Sequence, residues 1–129
     1  PCPGLVELIE TVPMPTGAIR ELLEPVVNDL RTKNADVIVL GCTHYPFVAP
    51  VISSLAGPGV SVIETGQPVA RQLNARLQAE GLLNPQLESQ DEIDRVSFFT
   101  TGNPQEFRLK LCSLLGDQWA TAQVQQLEA

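Results

Sequence analysis

The sequence predicts an α/β fold, with parallel-sheet layers and helices on both faces. Three observations carry that expectation. Short runs of β-branched and aliphatic residues such as "DVIVLG" and "VSVIE" show no polar alternation, which suits strands covered on both sides. Stretches with apolar residues repeating at three and four lie between them. Glycine, proline and asparagine punctuate almost every change from one to the other. Strand and helix in strict alternation imply βαβ units.

The elements follow in order. The opening stretch, 1–16, holds Pro1, Pro3, Pro13 and Pro15 around "LVELIE" and reads as loop, a short apolar helix or strand, then loop. A helix is expected over 17–33. Ile19, Leu22, Leu23, Val26, Val27 and Leu30 would form its buried stripe. Pro25 lies within that stripe and removes the N–H that would reach the Glu21 carbonyl, predicting a kink or restart.

A covered strand over 36–41 comes next, followed by Cys42, Thr43, His44 and Tyr45. Pro46 and Pro50 lead into a short helix over about 48–56, and "GPG" (57–59) makes a turn. A second strand is expected at 60–64. Thr65-Gly66-Gln67-Pro68 resembles a helix start, and that helix should run to about residue 80 and stop at Gly81. The polar, acidic segment 84–94 reads as an exposed loop. A third strand is expected at 96–100. Asn103 is the expected cap of a helix carrying Phe107, Leu111, Leu114 and Leu115. The tail beyond Asp117 is weakly patterned, with Trp119 as an expected packing anchor.

A chain of 129 residues with 43% hydrophobic content can bury a core. Its net charge of -7 argues against nucleic acid or an anionic membrane as the main partner, since phosphate binding needs clustered Lys and Arg. No apolar run has the length of a membrane helix, and no secretory leader pattern is visible. The three cysteines, Cys2, Cys42 and Cys112, are odd in number and widely spaced. That speaks against a disulfide framework and for a reducing, cytoplasmic compartment. The chain opens on Pro1 rather than methionine and is expected to be processed or a piece of something longer.

The chemistry concentrates in "VIVLGCTHYPFV" (37–48). It holds the sole histidine and the sole tyrosine of the chain beside a cysteine. In open α/β sheets ligands gather beyond the carboxyl ends of the strands, where these residues would lie. A thiol is a nucleophile or base only as thiolate, and a nearby imidazole can hold its proton. The threonine hydroxyl and free backbone N–H groups can hold a carboxylate. The residue types alone also suit a small buried cysteine and a satisfied histidine. A zinc site from Cys2, Cys42, Cys112 and His44 lacks a usual ligand spacing. A cysteine hydrolase using Cys42 and His44 lacks an orienting third group.

Four segments in order resemble the glutamate racemases of the cofactor-independent aspartate/glutamate racemase superfamily. "LGCTHYP" resembles their second-cysteine motif. "CPGLVELIE" (2–10) is similar to the segment that precedes it, "VIETG" (62–66) to their "IDSG"-type segment, and "FFTTGNPQEF" (98–107) to their C-terminal strand and helix. The resemblance implies a reaction in which two thiols face opposite sides of an amino acid's α-carbon, without pyridoxal or another cofactor and without a metal. It implies Cys42 as the second catalytic thiol, with His44 assisting its protonation state and Thr43 binding the substrate. Glu10 matches a family acid near the site and reads equally well as a surface carboxylate at a helix end.

The family's "CNT", "DSG" and "PYG" motifs do not occur in this chain. The resemblance therefore implies a C-terminal half, with residues 1–66 as the later part of a second α/β domain and 67–129 as the return to the first. Its partners would be glutamate and the missing N-terminal half, with a homodimer also compatible for the parent. Alone, one thiol should not invert a stereocentre. The expected parent function is supply of D-glutamate for peptidoglycan. Aspartate racemisation and a non-catalytic binding module are the alternatives.

Overall fold

The computed structural model describes residues 2–84 and 96–128. The polar segment expected as a loop at 84–94 lies outside the described residues apart from Asn84. The chain divides into two compact units, Pro1–Leu83 and Asn84–Ala129.

The first unit begins with a five-residue helix α1, Leu5–Ile9, which resolves the helix-or-strand alternative at "LVELI". So short a helix is not stable by itself. Packing holds it: Leu5 and Ile9 are fully buried while Glu7 faces water. Helix α2 spans Thr16–Thr32 and buries Ile19, Leu23 and Val27, three members of the expected stripe. It runs through Pro25 as one element. Both Glu21 and Pro25 are exposed, so water can meet the carbonyl that Pro25 leaves without a donor.

Strand β1, Val37–Leu40, pairs in parallel with β2, Ser61–Glu64, in the register Val37↔Ser61 to Leu40↔Glu64. A 3-10 turn at Tyr45–Val48 and helix α3, Ala49–Ala56, lie between them. The return from α3 to β2 uses Gly57 (φ 81°) and Gly59 (φ 94°), a left-handed backbone that side-chain-bearing residues avoid. The core is built from Leu5, Ile9, Ile19, Leu23, Val27, Leu40, Val48, Ile52 and Ala56. Helix α4, Gly66–Ala79, buries no residue.

In the second unit β3, Phe98–Thr100, pairs in parallel with β4, Val124–Gln126. Helix α5, Pro104–Leu115, lies between them in sequence. Asn103 caps α5, its Oδ1 accepting from the N–H groups of Gln105 and Glu106 at 2.8 and 3.3 Å. The core joins Leu111, Trp119 and Ala122 with Phe98 and Phe107. The Trp119 ring meets Phe98 edge-on at 5.5 Å, a favoured aromatic geometry. Strand β4 was not legible in the tail.

Candidate functional site

The parallel register sets the site's position. Leu40 and Glu64 are partners at the carboxyl ends of β1 and β2. The segments that follow, Gly41 to His44 and Thr65 to Gly66, therefore leave the sheet on the same rim. That is where parallel sheets collect ligands. Gly41 and Thr43 are exposed, and Cys42, His44 and Tyr45 are half-buried.

The stretch from Cys2 to Glu10 is tied to this rim at both ends. The Cys2 N–H donates to the Tyr45 hydroxyl at 3.3 Å. Glu10, the residue that ends α1, places its Oε1 3.0 Å from His44 Nε2. Between these polar ties, Leu5 and Ile9 anchor α1 in the core. Glu10 is thus a helix-end carboxylate that is bonded to the imidazole.

The other ring nitrogen is engaged too. Thr43 Oγ1 lies 3.3 Å from His44 Nδ1. A carboxylate only accepts hydrogen bonds, so Nε2 carries the ring proton and donates in the bond to Glu10. In the neutral ring Nδ1 is then an acceptor, and the Thr43 hydroxyl donates to it. The His44 carbonyl accepts from the Phe47 N–H at 3.1 Å and opens the 3-10 turn. Backbone and side chain of His44 are therefore both fixed. The Glu10 and His44 side chains keep about a third of their surface in water, so the pair is reachable by a small polar molecule.

The thiols of Cys2, Cys42 and Cys112 are all free. Cys42 directly precedes Thr43 and His44 on the rim. Cys2 borders a different space, a cavity of about 140 Å³ that Leu23, Val27, Leu40, Tyr45 and Ile52 also line. Neither Cys42, Thr43 nor His44 lines that cavity, and its apolar walls offer little to a charged amino acid. In the second unit a wider hollow of about 630 Å³ lies at the start of α5, lined by Thr101, Gly102, Asn103, Pro104, Gln105 and Gln126. None of these described lining residues has a group that could exchange a proton near neutral pH. Among the described residues no three His, Cys, Asp or Glu side chains gather as metal ligands do.

Of the residues singled out from sequence, Glu10, Thr43 and His44 form one hydrogen-bonded chain, with Cys42 next in sequence. Tyr45 also anchors Cys2, a role the sequence reading did not assign to it. The available signal was its being the sole tyrosine, adjacent to the sole histidine. No helix among the described residues is long and apolar enough to cross a membrane.

No protein-family model matches the chain. Curated relatives do. A glutamate racemase of Herpetosiphon aurantiacus is 45% identical over 112 residues, which are 86% of this chain and 42% of the relative. One from Ectopseudomonas mendocina is 42% identical over 118 residues, 92% of this chain and 43% of the relative. Among solved structures, glutamate racemase isoform RacE1 of Bacillus anthracis superposes with a TM-score of 0.81 at 27% identity, over 98% of this chain and 45% of that one. A glutamate racemase of Thermus thermophilus, solved in complex with β-chloro-D-alanine, gives 0.71 at 29% identity, over 98% and 46%. The chain thus spans less than half the length of the relatives it matches, and shares the fold of the solved ones along nearly all of its own length. By sequence and by fold it belongs to the glutamate racemases, as a C-terminal half.

Proposed function

We propose that this chain supplies one of the two proton-transfer faces of a glutamate racemase. The carrying observation is the hydrogen-bonded chain from Thr43 through His44 to Glu10, on the rim beside Cys42. In this reading the Cys42 thiolate removes the α-proton from one face of L-glutamate. The Cα–H bond breaks and an S–H bond forms. In the reverse direction the same thiol returns the proton. Inversion needs a second thiol on the opposite face, which the N-terminal half would bring. The imidazole of His44 takes and returns the thiol's proton, and Glu10 steadies the ring when it is charged. Thr43 holds a carboxylate of the substrate through its hydroxyl and N–H.

The N-terminal half is the partner this reading requires. The apolar surface left in water supports it. Val39 on β1 is 62% exposed, and Val69 and Leu73 on α4 are 64% and 58% exposed. Parallel sheets are normally covered on both faces. In the parent enzyme, residues 1–66 would close the second domain and 67–129 return to the first. The parent would work in the cytoplasm, as a homodimer in one version, making D-glutamate for the cell wall without a cofactor.

The test is incubation of the chain with L-glutamate in D₂O, following α-deuteration and D-glutamate separately. Deuteration without inversion, lost in Cys42→Ser, is the expected result. D-Glutamate formed by the chain alone would mean that it holds a second base, and the half-site reading would fail. No deuteration under any condition would leave a binding module as the better description.

A further inference from the structure

The hydrogen bonds around His44 set a constraint that the proposed reaction must obey. Glu10 accepts from Nε2 at 3.0 Å, and Nδ1 lies 3.3 Å from Thr43 Oγ1. A threonine hydroxyl has one proton to donate. In the neutral ring that proton is spent on Nδ1. A substrate carboxylate is also only an acceptor. The hydroxyl can donate to the ring or to the carboxylate, never to both.

We infer that Thr43 is a single-donor switch that couples arrival of a carboxylate to release of the His44 Nδ1 lone pair. The inference rests on the proposed function for the identity of the carboxylate, and on the geometry alone for the exclusivity. In the empty site the Thr43 hydroxyl occupies the Nδ1 lone pair. When a carboxylate takes the Thr43 proton as its hydrogen bond, the Thr43–His44 contact breaks. Nδ1 is then free to accept a proton. The donor in the proposed reaction is the Cys42 thiol two residues earlier. Its S–H bond breaks and an Nδ1–H bond forms, leaving a thiolate and an imidazolium whose Nε2–H still faces Glu10. No other reagent is required, and charge is conserved within the loop.

The arrangement carries a functional consequence. A thiolate standing in the open site would meet oxidants and electrophiles. Withholding the base until a carboxylate docks confines the reactive form to the occupied site. Thr43 acts in this scheme as a binding residue whose second role is to position a proton. A residue that only bound substrate would leave the empty-state imidazole untouched.

His44 is the sole histidine, so a ¹⁵N-labelled chain gives one pair of ring-nitrogen signals. Long-range ¹⁵N–¹H spectra would be recorded for the wild-type chain, Thr43→Val and Thr43→Ser, each with and without L-glutamate. Thr43 is exposed, so both substitutions should keep the fold, and the backbone amide spectrum verifies it. The expected result has four parts. Nε2 carries the proton in all three proteins. In Thr43→Val, without ligand, the Nδ1 signal moves to that of an acceptor lacking a donor. Thr43→Ser keeps the wild-type position. L-Glutamate takes the wild-type Nδ1 signal off its donor-bonded position, to that of the valine variant while the lone pair is free, or upfield to that of a protonated nitrogen where the thiol's proton has reached it.

If wild type and Thr43→Val share one Nδ1 signal, the switch is overturned whatever the substrate. If they differ but glutamate shifts the loop amides without moving wild-type Nδ1, it is overturned as a substrate-driven device. Failure of the racemase reading shows separately, as absence of Cys42-dependent deuteration.

Discussion

The N–H of Cys2 donates to the hydroxyl of Tyr45 at 3.3 Å, joining positions 43 residues apart in the sequence. With the Glu10–His44 contact it pins both ends of the α1 segment to the loop that follows β1. Tyr45→Phe removes the acceptor and keeps the ring. One half-buried hydrogen bond contributes about 0.5–1.5 kcal/mol net. Urea denaturation should show a lower midpoint at unchanged slope, because no extra surface is exposed on unfolding. An unchanged midpoint would mean that water replaces the tyrosine fully.

The Glu10–His44 pair yields a prediction on rate. Glu10→Gln keeps size and can still accept a hydrogen bond, but it has no charge with which to steady an imidazolium. A positioned acid–base group is worth about 10²-fold or more in rate. The Cys42-dependent α-deuteration of L-glutamate should fall by that order, with stability little changed, since both side chains are partly in water. A rate equal to wild type would remove Glu10 from the proton path and return it to a surface role.

Reading the sequence recovered the elements whose local signals agree with their tertiary setting. Helix α5 begins where Asn103 and Pro104 say it should, and β1 and β2 lie where unbroken aliphatic runs put them. The cluster at residues 42–45 was visible as a coincidence of rare residue types after a strand. What the sequence could not supply was the pairing across space. Glu10 comes to His44 because Leu5 and Ile9 dock α1 in the core, and no local pattern encodes that docking. Strand β4 escaped because Val124–Gln126 is three residues long, and only its pairing with β3 defines it. The helix does not restart at Pro25, because an exposed proline within a helix leaves a carbonyl that solvent can satisfy.

The docking of α1 can be tested through Ile9, which is 1% exposed. Ile9→Ala should cost about 2–5 kcal/mol, the transfer term plus the cavity left behind. It should also slow the α-deuteration, because the carboxylate loses its seat one residue further on. If Ile9 acts on the reaction only by placing Glu10, the double variant with Glu10→Gln should exchange no more slowly than Glu10→Gln alone. The cycle would report a coupling equal in size to the whole Ile9 effect on the rate. Additive losses would mean that Ile9 influences the site by another route.

The second unit offers its own reporter. Trp119 is the sole tryptophan. It sits with Leu111, Ala122, Phe98 and Phe107 in a small core, and its ring packs edge-on to Phe98. A core of this size contributes few kcal/mol, and short chains bury a smaller fraction of their surface than long ones. Leu111→Ala removes a side chain that is 7% exposed and should cost about 2–5 kcal/mol, a large part of what such a core can supply. Trp119 emission should therefore shift to the red at a much lower denaturant concentration than in the wild-type chain, or already be red-shifted in buffer. Leu109→Ala is the control: Leu109 lies two positions earlier on the same helix and is 61% exposed, so its midpoint should move by no more than about 0.5 kcal/mol equivalent. Equal midpoints for the two variants would show that the small core is not what holds Trp119 in place.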